Sequence, residues 1–139
     1  MAFKPSTPIG NSIWGPLFVR LAVGSYFVLA GLAKLDNHAL FISEVQKMGV
    51  LPPMMSTLYG ILLPYVEIVG GGLFLIGLWT ILSGFLLGLL LISFVIALGF
   101  HPSAFGPFNK DLILLAAVIS VMYSGAGALS IDRFRTTGG

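Results

Sequence analysis

The sequence predicts an all-α, polytopic membrane protein: a bundle of four transmembrane helices with a short interfacial helix between the first and the second. Of the 139 residues, 57% are hydrophobic and only 9% are charged, and the mean hydropathy is +1.01. Soluble domains carry about 25% charged residues. The stretch from Leu58 to Phe100 contains one charged residue, Glu67, and is long enough for two spans of about 20 residues each.

The composition also excludes several functions. The chain has no cysteine, which excludes dithiol–disulfide chemistry, thiolate metal sites and iron–sulfur ligation by this chain alone. Its two histidines, His38 and His101, lie on separate connections, so we expect no metal site. The net charge of +2 is too small to predict a nucleic-acid partner.

The amino-terminal part divides into an arm and a span. Residues 1–12 contain two prolines and a glycine and predict an irregular arm, with Asn11 or Ser12 as the helix cap. Helix 1 is predicted from Ile13 to Leu35. This run is long for a signal peptide and carries Arg20 inside it, so we interpret it as a membrane span.

One face of helix 1 is expected to point into the bundle. Its residues are spaced by four and three along the chain: Arg20, Gly24, Phe27, Gly31 and Lys34. Glycines allow another backbone to approach closely. Lys34, at the helix end, either extends to the interface or has a buried partner, whereas for Arg20 a buried partner is favoured.

Residues 36–53 form the one sizeable polar connection. Asp36 and Asn37 can cap a short helix, which Gly49 ends and Pro52-Pro53 prevents from resuming. Its apolar side carries Leu40, Phe41, Val45 and Met48. With about three turns this helix cannot cross a bilayer, so it is expected to lie in the interface.

Helix 2, predicted from Leu58 to Leu78, carries Glu67 near its middle. A carboxylate at the bilayer centre costs about 3 kcal/mol even on the mildest scale, so we expect Glu67 to face a partner or a cavity. Pro64 would free the carbonyl of Gly60, unless the regular helix starts late enough to place Pro64 in its first turn. The residues that share a face with Glu67 are Gly60, Pro64, Gly71 and Phe74.

Two further spans complete the predicted bundle. Helix 3 runs from Ile81 to Phe100, with Gly84 and Gly88 as a GxxxG pair for close packing. Helix 4 runs from Asn109 to Gly127. Asn109 can cap it, and Asp111 in the first turn suits the helix dipole.

The four-span domain therefore covers residues 13–129, followed by a short basic tail, residues 130–139. Four spans place both chain ends on one side, and the compact C-terminal cations favour the cytoplasmic side of the cell inner (plasma) membrane. With that threading Arg20 and Glu67 differ in depth by about 6 Å. An arginine side chain covers this gap, so we predict a buried Arg20–Glu67 pair as the candidate catalytic pair.

A second polar cluster is predicted at the opposite interface, delivered by three helices: Lys34, His101, Asn109, Lys110 and Asp111. Two interpretations stay open. The cluster is either ordinary interfacial polarity or a small binding pocket that opens to that face, with Glu67 beneath it. His101 alone could ligate a haem or a chlorophyll magnesium, but a polar interfacial histidine is the simpler interpretation.

Five segments carry a family resemblance. They are Arg20–Gly24 with Phe27, Ala30–Leu35, Met48–Pro52, Pro64–Gly71 and Phe108–Leu112. In this order and spacing the chain resembles the DoxX family of small four-helix membrane proteins over about residues 17–130. The resemblance implies that Arg20, Lys34, Glu67 and Lys110 are the characteristic polar positions.

The resemblance also implies a link to membrane oxidoreductase complexes, including thiosulfate–quinone oxidoreduction. The first hypothesis is a quinone-linked subunit in which Glu67 accepts protons and Arg20 holds its charge or contacts a quinone oxygen. Since the chain has no thiol, any dithiol role would use a partner's cysteines. No intrinsic cofactor is expected; quinone is the candidate, and a pigment or haem would come only through partner subunits.

The alternative hypothesis is a non-catalytic accessory or scaffold subunit of a larger respiratory or photosynthetic complex. Its partners would be membrane lipids and other integral membrane subunits, contacted chiefly through the helices. A solute or proton carrier has little support, because the sequence shows no repeat symmetry and no paired broken helices.

Overall fold

The computed structural model describes residues 5–99 and 109–138. Six α-helices and no strand occur in these two ranges. A 3₁₀ turn, Ser12–Trp14, leads into the first helix, and the elements are α1 Gly15–Asp36, α2 His38–Met48, α3 Pro53–Ile76, α4 Thr80–Leu98, α5 Lys110–Ser124 and α6 Ile131–Gly138. The predicted all-α class is confirmed.

Three of the described helices are long and apolar enough to cross a membrane: α1 with the turn before it, α3 and α4. Their outer faces carry large apolar side chains that are more than half exposed, such as Phe18, Leu62 and Phe85. The fourth predicted span is shorter than expected, because α5 has 15 residues, about 22 Å, against the roughly 20 residues of a typical span. The chain is thus a polytopic helical membrane protein.

The helices α1, α3, α4 and α5 pack in a ring, each against the next, and α5 returns to α1. The closest approach is between α1 and α3. A Cβ added to Gly24 would lie 2.9 Å from the carbonyl oxygen of Gly71, and one added to Gly31 would lie 2.7 Å from that of Pro64. The predicted glycine face of helix 1 is therefore a packing face, and it sets the axial register of the two helices.

The third helix begins at Pro53, five residues earlier than predicted, because proline fits the first turn of a helix, where its missing N–H has no partner to lose. Pro64 consequently lies inside α3 and not in its first turn. The carbonyl of Gly60 that Pro64 was expected to free accepts a hydrogen bond from Nε2 of His38, at 3.0 Å. The second helix thus supplies the hydrogen-bond donor that Pro64 lacks.

The short helix between the first two spans has the predicted position and the predicted stop. Gly49 ends α2 with a φ of 67°, a left-handed conformation that glycine adopts without strain. Val45 is buried and Phe41 is half-buried, whereas Leu40, on the predicted apolar side, is 56% exposed. The helix packs mainly against α3.

The basic tail is folded, not extended. The carboxylate of Asp132, on α6, accepts hydrogen bonds from the backbone N–H groups of Trp79 and Thr80, at 2.8 and 2.6 Å, and so caps α4. Burial acts to raise the pKa of Asp132, but these backbone donors outweigh it and hold the pKa below its usual value. The backbone N–H of Ala128 donates to the carbonyl of Ile13 at 2.9 Å, so the C-terminal segment lies at the end of the bundle where α1 begins.

Candidate functional site

A cavity of about 570 Å³ lies between the helices and is open on one side, with walls from all of the first five helices. Its lining is mostly apolar, and the larger contributors include Phe41, Val45, Met55, Leu63, Phe94 and Ile96. Seven polar side chains also line it: Tyr26, Lys34, Tyr59, Glu67, Ser93, Lys110 and Asp111. A largely apolar cavity of this size with a few placed polar groups is typical of sites for drug-sized ligands.

The strongest polar feature of the cavity wall is an ion pair between Lys34 and Glu67. Nζ of Lys34 donates to both carboxylate oxygens of Glu67, at 3.1 and 3.0 Å. The Glu67 side chain is 1% exposed, whereas that of Lys34 is 26% exposed. Lys34 also lies 5.6 Å from the ring centre of Phe41 and borders a second, shallower recess that includes Asn37 and Glu44.

The predicted Arg20–Glu67 pair is wrong. Glu67 packs beside Gly31, whose added Cβ would lie 3.3 Å from that of Glu67, whereas Arg20 lies beside Gly77. Eleven residues of α1 separate Arg20 from Gly31, an axial distance of about 16 Å. The depth estimate assumed helix ends at the bilayer surfaces, but the real register follows from the glycine contacts between α1 and α3.

Arg20 has a different set of partners. Its guanidinium donates to the carbonyls of Leu75, Ala128 and Leu129, at 2.9, 2.7 and 3.2 Å, and the side chain is fully buried. Leu75 lies in the last turn of α3, where carbonyls lack helical partners. Arg20 therefore joins the end of α3 to the segment after α5, and it does not line the cavity.

Only part of the polar cluster predicted at the opposite interface lines the cavity. Lys110 and Asp111 line the same cavity as Lys34 and Glu67, and Nζ of Lys110 lies 5.4 Å from the ring centre of Tyr26. Asn109 is a structural cap, as the sequence predicted: its side chain accepts from the N–H of Asp111 and donates to the carbonyl of Gly99, at 3.0 and 3.1 Å. His101 lies outside the described residues.

Sequence reasoning missed the hydroxyl pair of Tyr59 and Ser93, which joins α3 to α4 at 2.9 Å. Ser93 donates its own proton to the carbonyl of Leu90 at 2.6 Å. The signal was present in the spacing, since Tyr59, Leu63 and Glu67 follow one another at intervals of four and share a helix face. Ser93, on another helix, had no such signal.

Among the residues described, no group of three or more metal-ligating side chains comes together. The wall of the cavity itself carries acids, bases and hydroxyls. It offers an ammonium donor beside a carboxylate acceptor, a second Lys–Asp pair with atoms 3.6 Å apart, and a tyrosine hydroxyl. These groups can hydrogen-bond a small oxygen-bearing ligand and exchange protons with it.

Comparisons with known proteins place the chain among membrane proteins. It is 29% identical over 120 residues to a Bacillus subtilis (strain 168) protein described as "Putative oxidoreductase CatD", and the match covers 86% of each chain. No solved structure matches the chain. Residues 13–109 match the model of the methylamine utilisation protein MauE, a membrane family related to DoxX but distinct from it. With most of its spans inside that match, the chain belongs to the MauE family.

Proposed function

We propose that this chain is a membrane subunit of an oxidoreductase or electron-transfer system, and that its cavity holds the ring of a quinone-class carrier. The observation that carries the proposal is the Lys34–Glu67 pair in the wall of a mostly apolar cavity. Taking two charges out of water is costly, and a packed apolar pair would fill the same space more cheaply. The oxidoreductase name of the Bacillus subtilis relative supports the redox part.

The pair suits both redox states of such a carrier. The ammonium of Lys34 can donate to a quinone carbonyl, and the carboxylate of Glu67 can accept from a quinol hydroxyl. Oxidation of one quinol to quinone releases two electrons and two protons. The electrons pass to an oxidised redox centre in a partner protein, and Glu67 accepts the protons in succession. Lys34, a quarter exposed, connects the carboxylate to the recess beside Glu44 through which they leave.

Two parts of the sequence-based hypothesis change in this proposal. Arg20 no longer contacts the ring, because it lies at the far end of α1. Lys34 takes its place as the cation beside Glu67. A closer kinship with the DoxX family remains part of the proposal and is supported by the sequence motifs alone.

The test is direct binding of a short-tailed quinol. Wild-type protein in lipid nanodiscs is expected to bind decylhydroquinone, and Glu67→Gln, which keeps the shape but loses the charge, is expected to bind it roughly tenfold more weakly. Equilibrium dialysis of tritiated ligand measures both. The matched control is Asp36→Asn, which also replaces a carboxylate by an amide but at an exposed position that does not line the cavity. Absence of binding to the wild type, or equal binding by Glu67→Gln, would refute the role of the pair.

The accessory subunit remains a second candidate, favoured by one observation. Between α1 and α4 the described connections are no longer than four residues, so neighbours inside the membrane would meet the chain mainly through its helices. Purification in mild detergent separates the two functions. Copurification with a pigmented or haem-bearing assembly, without quinol binding, would favour the accessory role.

The proposal includes a location. We place the chain in the plasma membrane with both ends in the cytoplasm, supported by Arg133 and Arg135 at the C-terminal end. The C-terminal segment contacts the start of α1, which puts the two described ends of the chain at the same end of the bundle.

A further inference from the structure

The cavity wall also carries a hydroxyl group, that of Tyr59, two helical turns along α3 from the ion pair. Tyr59 and Glu67 are eight residues apart on α3, with Leu63 between them, and all three line the cavity. The rise over eight helical residues is about 12 Å. This rise separates the backbone positions of the two residues, and both side chains reach the same cavity, so a ring that lies between them meets a polar group at each end.

We propose that Tyr59 is a second anchor of the cavity, so that the site selects a ring with an oxygen at each end. One oxygen meets Lys34 and Glu67, and the other meets the hydroxyl of Tyr59. This inference rests on the proposed function and specifies its ligand: a para-dioxygenated ring, in preference to a simple phenol or an apolar amphiphile.

The hydroxyl pair is arranged for this task. Ser93 donates its proton to the carbonyl of Leu90, at 2.6 Å, so the proton between Ser93 and Tyr59 comes from the tyrosine. While it donates to Ser93, the Tyr59 oxygen can accept from a quinol hydroxyl. By turning its O–H to the ligand, Tyr59 can instead donate to a quinone carbonyl. The anchor therefore serves both redox states, as the ion pair does at the other end.

The cavity is otherwise unsuited to a strongly charged ligand. Each lysine on its wall has an acidic neighbour, Glu67 for Lys34 and Asp111 for Lys110. The charges of these pairs balance, so a neutral ring is expected to bind better than an anion. The apolar remainder of the lining accommodates a hydrocarbon tail.

The experiment compares two ligands that differ in one oxygen. Decylhydroquinone has two hydroxyls, and decylphenol has the same ring and tail with one. Tyr59→Phe is expected to weaken decylhydroquinone roughly three- to tenfold, the loss of one hydrogen bond, and to leave decylphenol within about twofold. Tyr65→Phe, the same change on the exposed side of α3, is the control and is expected to alter neither affinity.

A second variant separates ligand contact from helix packing. Ser93→Ala removes the bond between α3 and α4 but leaves the Tyr59 hydroxyl free to turn to the ligand. We expect Ser93→Ala to keep the preference for two hydroxyls. If Ser93→Ala behaved as Tyr59→Phe does, or if Tyr59→Phe affected both ligands equally, the anchor would be refuted while the cavity remained a quinol site. If neither ligand bound to the wild type, the proposed function would fail with it.

Discussion

Glu67 and Lys34 bring opposite charges into the bundle, and each offsets the desolvation of the other. Both carboxylate oxygens accept from the same ammonium, which leaves neither oxygen without a partner. The two residues differ in access to water, since Glu67 is buried and Lys34 is 26% exposed. Removal of Lys34 alone would leave the buried carboxylate of Glu67 without a counter-charge. Replacement of both residues by apolar side chains would leave no buried charge.

A double-mutant cycle tests this dependence. Lys34→Met is expected to lower the free energy of unfolding by about 3 kcal/mol, at the low end for a broken buried pair because the lysine is partly exposed. Glu67→Leu combined with Lys34→Met is expected to recover most of that loss. Denaturant titration in detergent micelles measures each variant.

Arg20 supplies the control for the cycle, because it is also a buried cation of α1 but has only carbonyl partners. The effects of Arg20→Met and Glu67→Leu should add to within about 0.5 kcal/mol. If Arg20 were coupled to Glu67 as strongly as Lys34 is, the axial alignment of α1 with α3 in the structure would be wrong.

At the scale of helices, the contact between α1 and α3 decides which polar residues meet. Gly24 and Gly71 lie against each other, as do Gly31 and Pro64, and each contact brings backbone to backbone. Glycine is needed because any side chain would hold the two helices apart. The pairing of Lys34 with Glu67 is therefore a consequence of where the small residues lie.

Adjacent glycines of α3 test this role of the interface. A Cβ on Gly71 would lie 2.8 Å from Cβ of Phe27 and 3.0 Å from the carbonyl of Gly24, whereas one on Gly72 meets nothing within 4 Å. Gly71→Ala is expected to destabilise by about 1–2 kcal/mol through overpacking, and Gly72→Ala to stabilise by up to about 1 kcal/mol through helix propensity. Unfolding midpoints that ranked the two variants equally would show that the helices pack elsewhere.

At the scale of the whole molecule, the start of α1 and the segment after α5 are held together at one end of the bundle. Ala128 bonds to Ile13, Arg20 bonds to Ala128, and the N–H of Asp132 donates to the carbonyl of Gly77 at 2.8 Å. The cavity with Lys34 and Glu67 lies toward the opposite end of α1. The molecule thus has interhelical hydrogen bonds that hold the fold together at one end and a polar cavity toward the other.

This organisation predicts a labelling pattern, and the absence of native cysteines leaves no background. Single cysteines at Ser6 and Arg135 are expected to react with an impermeant maleimide from the same side of the membrane, and one at Glu44 from the opposite side. In intact cells with cytoplasmic ends, Glu44→Cys alone should react. Labelling of Ser6→Cys and Arg135→Cys from opposite sides would mean that α5 does not return across the bilayer.

The sequence by itself determined the membrane class, the helix faces and several helix ends. Apolar length and low charge leave few alternatives, because each span must satisfy its own backbone inside lipid. Spacings of three and four identified the buried faces of α1 and α3, and local chemistry identified the stop at Gly49 and the cap at Asn109. It also predicted that Pro64, if it lay beyond the first turn of the helix, would free the carbonyl of Gly60, since that effect is local.

Only the tertiary structure decided which polar groups of the chain pair with each other. Whether Glu67 meets Arg20 or Lys34 depends on an axial shift of about 16 Å, and spacing within one helix carries no information about its offset from another. The same holds for His38 at the freed carbonyl, for Ser93 beside Tyr59, and for Arg20 at the end of α3. A sequence specifies which face of a helix is buried, but only backbone contact at the small residues fixes which polar groups lie opposite each other.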